Sequence, residues 1–413
     1  MGLCFVETLI TATLGYKATF IVSCVVTSLS CLLYSLLTVY SDFASENPVL
    51  VYITQLFLSC ANWIASLAII RFNIQLFPRA HTGKLIAVIW SMYCLAKIFF
   101  AGSMNFFFRD NFPAFFLTIA IASTVLFVPC FLLLHKFITI SKEQSILEWA
   151  RNDSKTGYQA MDKKESVPKE QVEHFTSPRT VLRSRYFHFM FWSSVAFYSC
   201  ALSCMNNITI MAHSAKVANP LTTVYLLSVS ILIPRFSFGF IFDKFRFELC
   251  GFLLLAICYF SLAAAVGIGM VWFTVHSVYL MTVFIGIAVG PSSTIAIAML
   301  VFRFGRSHIS VLSSSFYFCL AMSQLLLQLL IGFIYDNKAF SRKRTNDSCE
   351  GKSCFFWSFF TMLVIIVICI AIQVVNYFWV IYLAEKKTEN SAVENSDEDE
   401  ENKMLLCDKQ NGM

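Results

Sequence analysis

The chain has 413 residues, of which 57% are apolar and only 14% are charged, and its formal net charge is +6. Soluble domains carry roughly 25% charged residues, so this composition excludes an ordinary water-soluble domain and indicates a membrane protein. The modest positive charge gives no indication of a nucleic-acid partner.

Eleven apolar runs approach the roughly 20 residues that a helix needs to cross a hydrocarbon core of about 30 Å. Their hydrophobicity is continuous rather than alternating, which predicts helices and not the strands of a membrane barrel. The first run is too short to span well. The runs cover about 2–15, 18–40, 48–70, 85–103, 113–134, 187–212, 218–242, 248–267, 273–299, 309–335 and 355–384.

Lysine and arginine residues predict the orientation, because cytosolic loops of membrane proteins carry an excess of them. If the polar loop at 136–186 faces the cytosol and the other loops alternate from it, 22 of the 31 Lys and Arg residues are cytosolic. Seven lie on the opposite side, and Lys97 and Arg235 fall inside predicted spans. The bias predicts a cytosolic loop at 136–186.

Two membrane segments joined by this long loop define the predicted organisation. The loop has the composition of a solvated linker, and no secondary structure is assigned to it. The segments are an N-terminal half at 1–135, the linker at 136–186, a C-terminal half at 187–385 and an acidic cytosolic tail at 386–413.

A short polar loop between the last two runs contains Cys349 and Cys354, together with the N-glycosylation acceptor Asn346. Two cysteines this close can form a disulfide in an oxidising compartment. The charge distribution also places this loop opposite the cytosol. The sequence predicts a disulfide and a glycan here, and the alternative is two unpaired thiols and a chance acceptor.

The seventh run ends in the motif Gly239-x-x-x-Asp243-Lys244-x-Arg246. The glycine allows a neighbouring helix to approach closely. The aspartate lies at the predicted membrane edge, where it can pair with cations or with the N-terminus of a helix in the other half, and this contact would stabilise one conformation.

This motif resembles the loop between the second and third helices of each six-helix half in the major facilitator superfamily. The resemblance implies an all-α membrane bundle of two pseudo-symmetric halves. It also implies that run 2–15 is the remnant of the second helix and that the first of the usual twelve helices is missing. The chain is therefore expected to be N-terminally truncated or to come from a gene model that begins late. Pro291 is expected to break the tenth-helix equivalent as part of a bent gating helix.

Further short motifs occur along the chain: Asn62-Trp63, Phe77-Pro78-Arg79, Phe304-Gly305, Gly332-x-x-Tyr335-Asp336 and Cys349-x-Gly351-x-x-Cys354-Phe355. They resemble motifs of the nodulin-like, monocarboxylate-porter-like branch of the superfamily. Arg303 stands where the branch has an acid before Phe304-Gly305, which departs from its pattern. The sequence around Phe191-Trp192-Ser193 and Asn206 has a fainter similarity to system-L-type facilitative amino-acid carriers.

Arg235 and Lys97 are the cations within predicted spans, where a charge costs roughly 2.5–3.5 kcal/mol even on lenient scales. At 1.5 Å per residue, Arg235 lies about 12 Å inside the cytosolic edge and Lys97 about 20 Å along its helix. The resemblance implies that they lie on helices eight and five, which pack against each other between the halves. Two cations there would suit a carboxylate-bearing substrate. Alternatively, Arg235 stabilises packing and Lys97 extends to the membrane surface.

Uncharged polar residues form a second set of candidate substrate contacts. Gln324 and Gln328 are one turn apart on one helix face. Asn62 and Trp63, and Asn206 with its neighbour Asn207, lie in runs that the resemblance assigns to the central cavity. The alternative for each is an interhelical hydrogen bond that stabilises the bundle.

The predicted function is a secondary transporter or uniporter that moves a small organic solute, a carboxylate or an amino acid, by alternating access, with a proton as a candidate coupling ion. The alternative is a non-transporting scaffold or sensor built on a transporter fold. No catalytic motif and no Cys/His cluster with metal spacing occurs in the sequence, so neither an enzyme nor a cofactor is predicted.

Two short motifs predict the cellular address. Glu401 with Leu405 and Leu406 resembles an acidic dileucine sorting signal, and Tyr158 with Met161 resembles a tyrosine-based one. Both lie on the predicted cytosolic side, where sorting adaptors could bind them. They favour the endosomal or lysosomal membrane over the plasma membrane, while a merely solvated acidic tail is the alternative.

Overall fold

The computed structural model describes residues 4–76, 82–109, 111–155, 178–245, 248–304, 309–342, 352–380 and 382, and this part of the chain is helical without strands. A π-helical turn, Met104–Phe108, follows α4, and a 3-10 turn, Lys352–Cys354, precedes α13. The α-helices are α1 (Cys4–Val39), α2 (Ser41–Glu46), α3 (Pro48–Leu76), α4 (Thr82–Ser103), α5 (Phe112–Lys155), α6 (Pro178–Arg183), α7 (Arg185–Asn206), α8 (Ile208–Ser214), α9 (Pro220–Phe245), α10 (Glu248–Val271), α11 (Val275–Phe304), α12 (Ile309–Arg342) and α13 (Phe356–Val380).

By length and hydropathy, nine helices of the described chain can cross a membrane, or ten if α7 and α8, which are bent by 48° relative to each other, count as one span. The all-helical membrane fold is confirmed, with nine or ten candidate spans in the described residues beside the eleven apolar runs of the sequence. The first apolar run does not qualify, because its helix is interrupted at Gly15 (φ 80°, ψ 170°). Glycine reaches this positive φ easily because it has no Cβ.

The predicted linker, to which no secondary structure was assigned from the sequence, is partly helical. Helix α5 continues from its membrane span to Lys155, which gives 44 residues, and α6 covers Pro178–Arg183. At 1.5 Å per residue α5 is about 66 Å long, well beyond the thickness of a bilayer core. Residues 156–177 lie outside the described chain.

Small hydroxyl side chains connect the helices of the N-terminal half, where α1 packs against α3 and α5. Ser23 Oγ donates to the Ala61 carbonyl at 2.6 Å, and the Ser28 and Ser123 hydroxyls lie 2.8 Å apart. Such residues let membrane helices approach closely and bond across the contact.

Helix α11 is the most buried helix of the C-terminal half and packs between α9 and α10. A Cβ atom at Gly290 would lie 2.5 Å from the Ile231 carbonyl oxygen, so glycine is needed for the close crossing of α11 and α9. The predicted break at Pro291 is absent, since α11 continues through Pro291 to Phe304, while the predicted bend and gating role stay predictions. A proline removes one backbone hydrogen bond, and the packing on both sides holds the helix together.

Candidate functional site at the contact between α4 and α9

Helix α4 of the N-terminal half packs along α9 of the C-terminal half, as expected for the helix-five and helix-eight equivalents. At one end Gly83 faces Gly239, and at the other an ideal Cβ on Gly102 would lie 3.9 Å from the Tyr225 hydroxyl. The two helices are therefore antiparallel and adjacent along their length.

Arg235 lies in the middle of this contact and is only 3% exposed. Its Nε donates to the Gly290 carbonyl at 2.6 Å, and Nη1 donates to the Trp90 carbonyl at 3.0 Å. Nη1 also lies 3.3 Å from Cys94 Sγ. The guanidinium thus connects α9 to α11 in its own half and to α4 in the other half.

No carboxylate pairs with Arg235 within the described part of the chain, where its hydrogen bonds go to two carbonyls and a thiol. The guanidinium carbon lies 5.9 Å from the centroid of the Trp90 ring, which adds a cation–π contact. Carbonyl dipoles and a ring face stabilise a buried cation but do not neutralise it. The site therefore has an uncompensated positive charge.

Aromatic and hydroxyl side chains surround the guanidinium. Tyr198 of α7 is close enough to interact with both Arg235 and Ser293. Trp90 of α4 and Tyr317 of α12 pack with ring centroids 6.3 Å apart. Helices from both halves thus place a hydroxyl group and a ring face beside one buried cation.

Asp243 joins the ends of α9 and α4 near the predicted cytosolic surface. Its carboxylate accepts hydrogen bonds from the backbone N–H groups of Gly83 at 2.8 Å and Lys84 at 2.7 Å, and it is 7% exposed. These groups belong to the first turn of α4, whose N–H groups have no partners within the helix. The predicted pairing of Asp243 with a helix N-terminus of the other half is present.

Gly239 permits this contact. A Cβ at residue 239 would lie 2.5 Å from the Ala87 Cβ and 2.9 Å from the Gly83 carbonyl oxygen. Of the cations in the motif, Lys244 is exposed with its amine 5.8 Å from the Phe245 ring centroid. Arg246 lies outside the described residues.

Gln324 and Gln328 face α7 rather than open space. Asn207 Nδ2 donates to Gln328 Oε1 at 3.1 Å, and Ser203 Oγ lies 3.5 Å from Gln324 Oε1. These contacts favour the alternative interpretation, in which both glutamines connect helices. Of the two predicted asparagines, Asn207 is the partner of Gln328, whereas Asn206 is exposed at the end of α7.

The other predicted residues are only partly described. Asn62 is exposed on α3; the side chains of Trp63 and Lys97, on α3 and α4, are not described. Cys354 is buried and disulfide-bonded, but Cys349 lies outside the described residues, so the pairing of these two cysteines stays a prediction. Also outside are Asn346, Tyr158, Met161, Glu401, Leu405 and Leu406.

Several contacts of the site could not be found from sequence. Trp90 and Gly290 contribute backbone carbonyls to Arg235, and every residue has a carbonyl. Tyr198 and Tyr317 resemble the many aromatic residues of the chain. Gly83 is the exception. The close approach of a helix at Gly239 needs a small residue on the facing helix, and Gly83 is a small residue at the start of α4.

The family model of the Major Facilitator Superfamily matches residues 5–326 of this chain. A bacterial homologue of the iron transporter ferroportin, in the outward-facing state, is 13% identical with a TM-score of 0.57, and the match covers 91% of this chain and 88% of that one.

The E. coli fucose:proton symporter FucP is 12% identical with a TM-score of 0.53, covering 90% of this chain and 87% of that one. Identities this low support the fold alone. No curated protein matches the sequence. These matches do not test the branch within the superfamily, so the monocarboxylate-porter-like and system-L-type resemblances stay predictions.

Proposed function

The chain belongs to the Major Facilitator Superfamily, and we propose that it moves a small organic solute with a carboxylate group, a monocarboxylate or an amino acid, across a membrane by alternating access. One observation carries this proposal. Arg235 is a buried cation without a carboxylate partner in the described chain, and it lies where the two halves meet.

A role in packing alone does not explain why this position is charged. A neutral side chain would fill the same volume without the cost of placing a cation in the bilayer. The contacts of Nε and Nη1 fix the plane of the guanidinium, and a fixed guanidinium is well suited to bind a carboxylate through two parallel hydrogen bonds.

The contact with Trp90 links substrate binding to the movement of the halves. Nη1 donates to the Trp90 carbonyl of α4, so an incoming carboxylate competes with α4 for the same N–H groups. Substrate binding then weakens one link between α4 and α9. A ligand shifts a conformational equilibrium only through such a difference in its interactions with the two states.

Asp243 supplies the second element of the proposed cycle. Its hydrogen bonds hold the cytosolic ends of α4 and α9 together, and they must break when the halves separate on that side. The Asp243 contact therefore stabilises the conformation in which the cytosolic ends of α4 and α9 are held together, and substrate binding at Arg235 destabilises that conformation.

Flux measurements test the proposal. Purified full-length protein is reconstituted into liposomes and assayed with labelled monocarboxylates and neutral amino acids, alongside protein-free liposomes and liposomes with Arg235→Gln. We expect flux of at least one carboxylate that depends on Arg235. An imposed pH gradient tests a proton as the coupling ion, a role that it has in the E. coli symporter.

The opposite result is equally specific. If wild-type protein moves no compound of the panel while remaining folded in the liposomes, the transport proposal is wrong. The non-transporting scaffold or sensor is then the better interpretation of the same fold.

A further inference from the structure

Three arginines lie around the start of α7, away from the site around Arg235. We call them the arginine edge: Arg183, Arg185 and Arg303. Arg183 and Arg185 are exposed on either side of the N-cap residue Ser184, and Arg303 is half-buried in the last turn of α11. Arg303 is also the residue that departs from the pattern of the resembled branch, which has an acid at this position.

Aromatic rings fix the positions of two of these cations. The guanidinium carbon of Arg185 lies 5.4 Å from the ring centroid of Trp379 on α13, and that of Arg303 lies 5.5 Å from the ring centroid of Tyr186. Tyr186 directly follows Arg185 in the first turn of α7, and its ring packs against Phe304, the neighbour of Arg303. Both guanidinium groups therefore lie beside the same helical turn.

The charge of the arginine edge favours an anionic partner. Within the described ranges, neither Arg183 nor Arg185 has an acidic partner. Both residues flank the N-terminus of α7, where the helix dipole favours negative charge over positive charge. A guanidinium stacked on a ring keeps its N–H donors along its edge, where they can bind an oxyanion.

Two aromatic residues at the end of α13 indicate the depth of this edge in the membrane. Trp379 and Tyr382 pack with ring centroids 6.0 Å apart, where the apolar span Phe356–Val380 ends. Tryptophan and tyrosine are enriched at the level where hydrocarbon meets lipid headgroups. Arg185, which stacks on Trp379, therefore lies at headgroup level, on the face that the charge distribution predicts to be cytosolic.

We propose that the arginine edge binds the phosphorylated headgroup of an anionic phospholipid in the cytosolic leaflet. Arg185 and Arg303 donate paired N–H groups to phosphate oxygens, and Arg183 adds a third positive charge. Cations on two sides of one helical turn suit a headgroup with more than one phosphate, as in a phosphoinositide. Basic sites between helices at the cytosolic membrane edge bind lipids of this class.

The surface of α13 below Trp379 suits the acyl chains of such a lipid. Val374, Val375 and Phe378 are exposed there, one turn or less from the ring that holds Arg185. A free phosphate ion has no use for this apolar surface. The combination of a basic edge above an apolar helix face therefore selects a lipid over a soluble anion.

Lipid titrations of the purified full-length protein in detergent test the proposal. Tm and native mass spectra are measured with dioctanoyl phosphatidylinositol phosphate, with dioctanoyl phosphatidylcholine and with inorganic phosphate, at equal concentration and ionic strength. We expect a bound adduct and a saturable rise in Tm with the phosphoinositide only, because a ligand that binds the folded state stabilises it.

Variants assign the binding to the arginine edge. Arg185→Gln is expected to weaken phosphoinositide binding about fivefold, which corresponds to about 1 kcal/mol for one cation near an anionic headgroup. Arg183→Gln should weaken it in the same direction and leaves the stacking on Trp379 intact, so it serves if Arg185→Gln impairs folding. Arg109→Gln is the matched control, because Arg109 is an exposed arginine at the opposite end of the bundle, after α4.

Equal effects of the phosphoinositide and of phosphatidylcholine would overturn the proposal. A rise in Tm with inorganic phosphate as large as that with the lipid would overturn the lipid as the partner, since the edge would then bind a free anion. Unchanged lipid binding in both Arg183→Gln and Arg185→Gln would attribute these arginines to the positive-inside bias alone. None of these measurements depends on whether the protein transports a carboxylate.

Discussion

The Asp243 carboxylate accepts a hydrogen bond from the backbone N–H of Gly83 at 2.8 Å, across the contact between the two halves. An acid of α9 thereby caps the first turn of α4. The negative charge also faces the positive end of the α4 dipole. The Asp243 side chain thus accepts hydrogen bonds from N–H groups at the start of α4 that have no partner within that helix.

Replacing Asp243 with Asn should weaken this contact, because the amide keeps one acceptor oxygen but loses the charge. We expect a loss of about 1–2 kcal/mol in the free energy of unfolding, typical of a helix cap. Thermal unfolding in detergent measures it. Asp336→Asn, at an exposed position on α12, is the control and should change stability little. An equal loss of stability in the two variants would show that Asp243 contributes no more to stability than an exposed acid.

Gly239→Ala should force α4 and α9 apart, since the added Cβ would lie 2.5 Å from the Ala87 Cβ. Overpacking of this kind typically costs about 1–3 kcal/mol. Gly332→Ala is the matched comparison, because a Cβ there meets nothing within 4 Å. We expect a lower Tm for Gly239→Ala only. A normal Tm for Gly239→Ala would mean that the two helices can separate freely.

Arg235→Lys keeps the charge but loses the planar fork, so transport of a carboxylate should weaken about tenfold or more. Arg235→Gln should nearly abolish it while the protein still reaches the membrane. Lys216→Gln, which removes an exposed cation, is the control. Flux per protein molecule, with Tm measured in parallel, separates binding from folding. Wild-type flux in both Arg235 variants would assign Arg235 to packing.

Asn346 should carry a glycan if its loop lies opposite the cytosol. Treatment with an N-glycosidase is then expected to reduce the apparent mass of wild-type protein from mammalian cells, and Asn346→Gln should already have the reduced mass. An unchanged mass of the wild-type protein after treatment would show that Asn346 carries no N-linked glycan.

Replacing Leu405 and Leu406 with Ala should move tagged protein to the plasma membrane, because a dileucine signal needs both apolar side chains. Met404→Ala, beside the motif, is the control and should leave the distribution unchanged. Fluorescence microscopy and surface labelling measure the result. An endosomal or lysosomal distribution that persists without both leucines would rule out the dileucine signal.

Much of the membrane architecture could be predicted from the sequence. Hydrophobic runs match the thickness of a bilayer, and lipid allows few folds, so runs near 20 residues predict helices directly. The same limits predicted that 2–15 is too short to span well. The pairing of Asp243 with a helix end was also predictable, because its motif is short and local.

The identity of Arg235 as a buried cation was set by sequence, but its partners were decided only by the tertiary structure. They are the carbonyls of Trp90 and Gly290, more than 50 residues away in sequence, and a carbonyl leaves no signal in the amino-acid letters. The sequence likewise did not distinguish Asn207, which contacts α12, from its exposed neighbour Asn206. Periodicity predicts which residues share a face, whereas the packing of whole helices decides what that face meets.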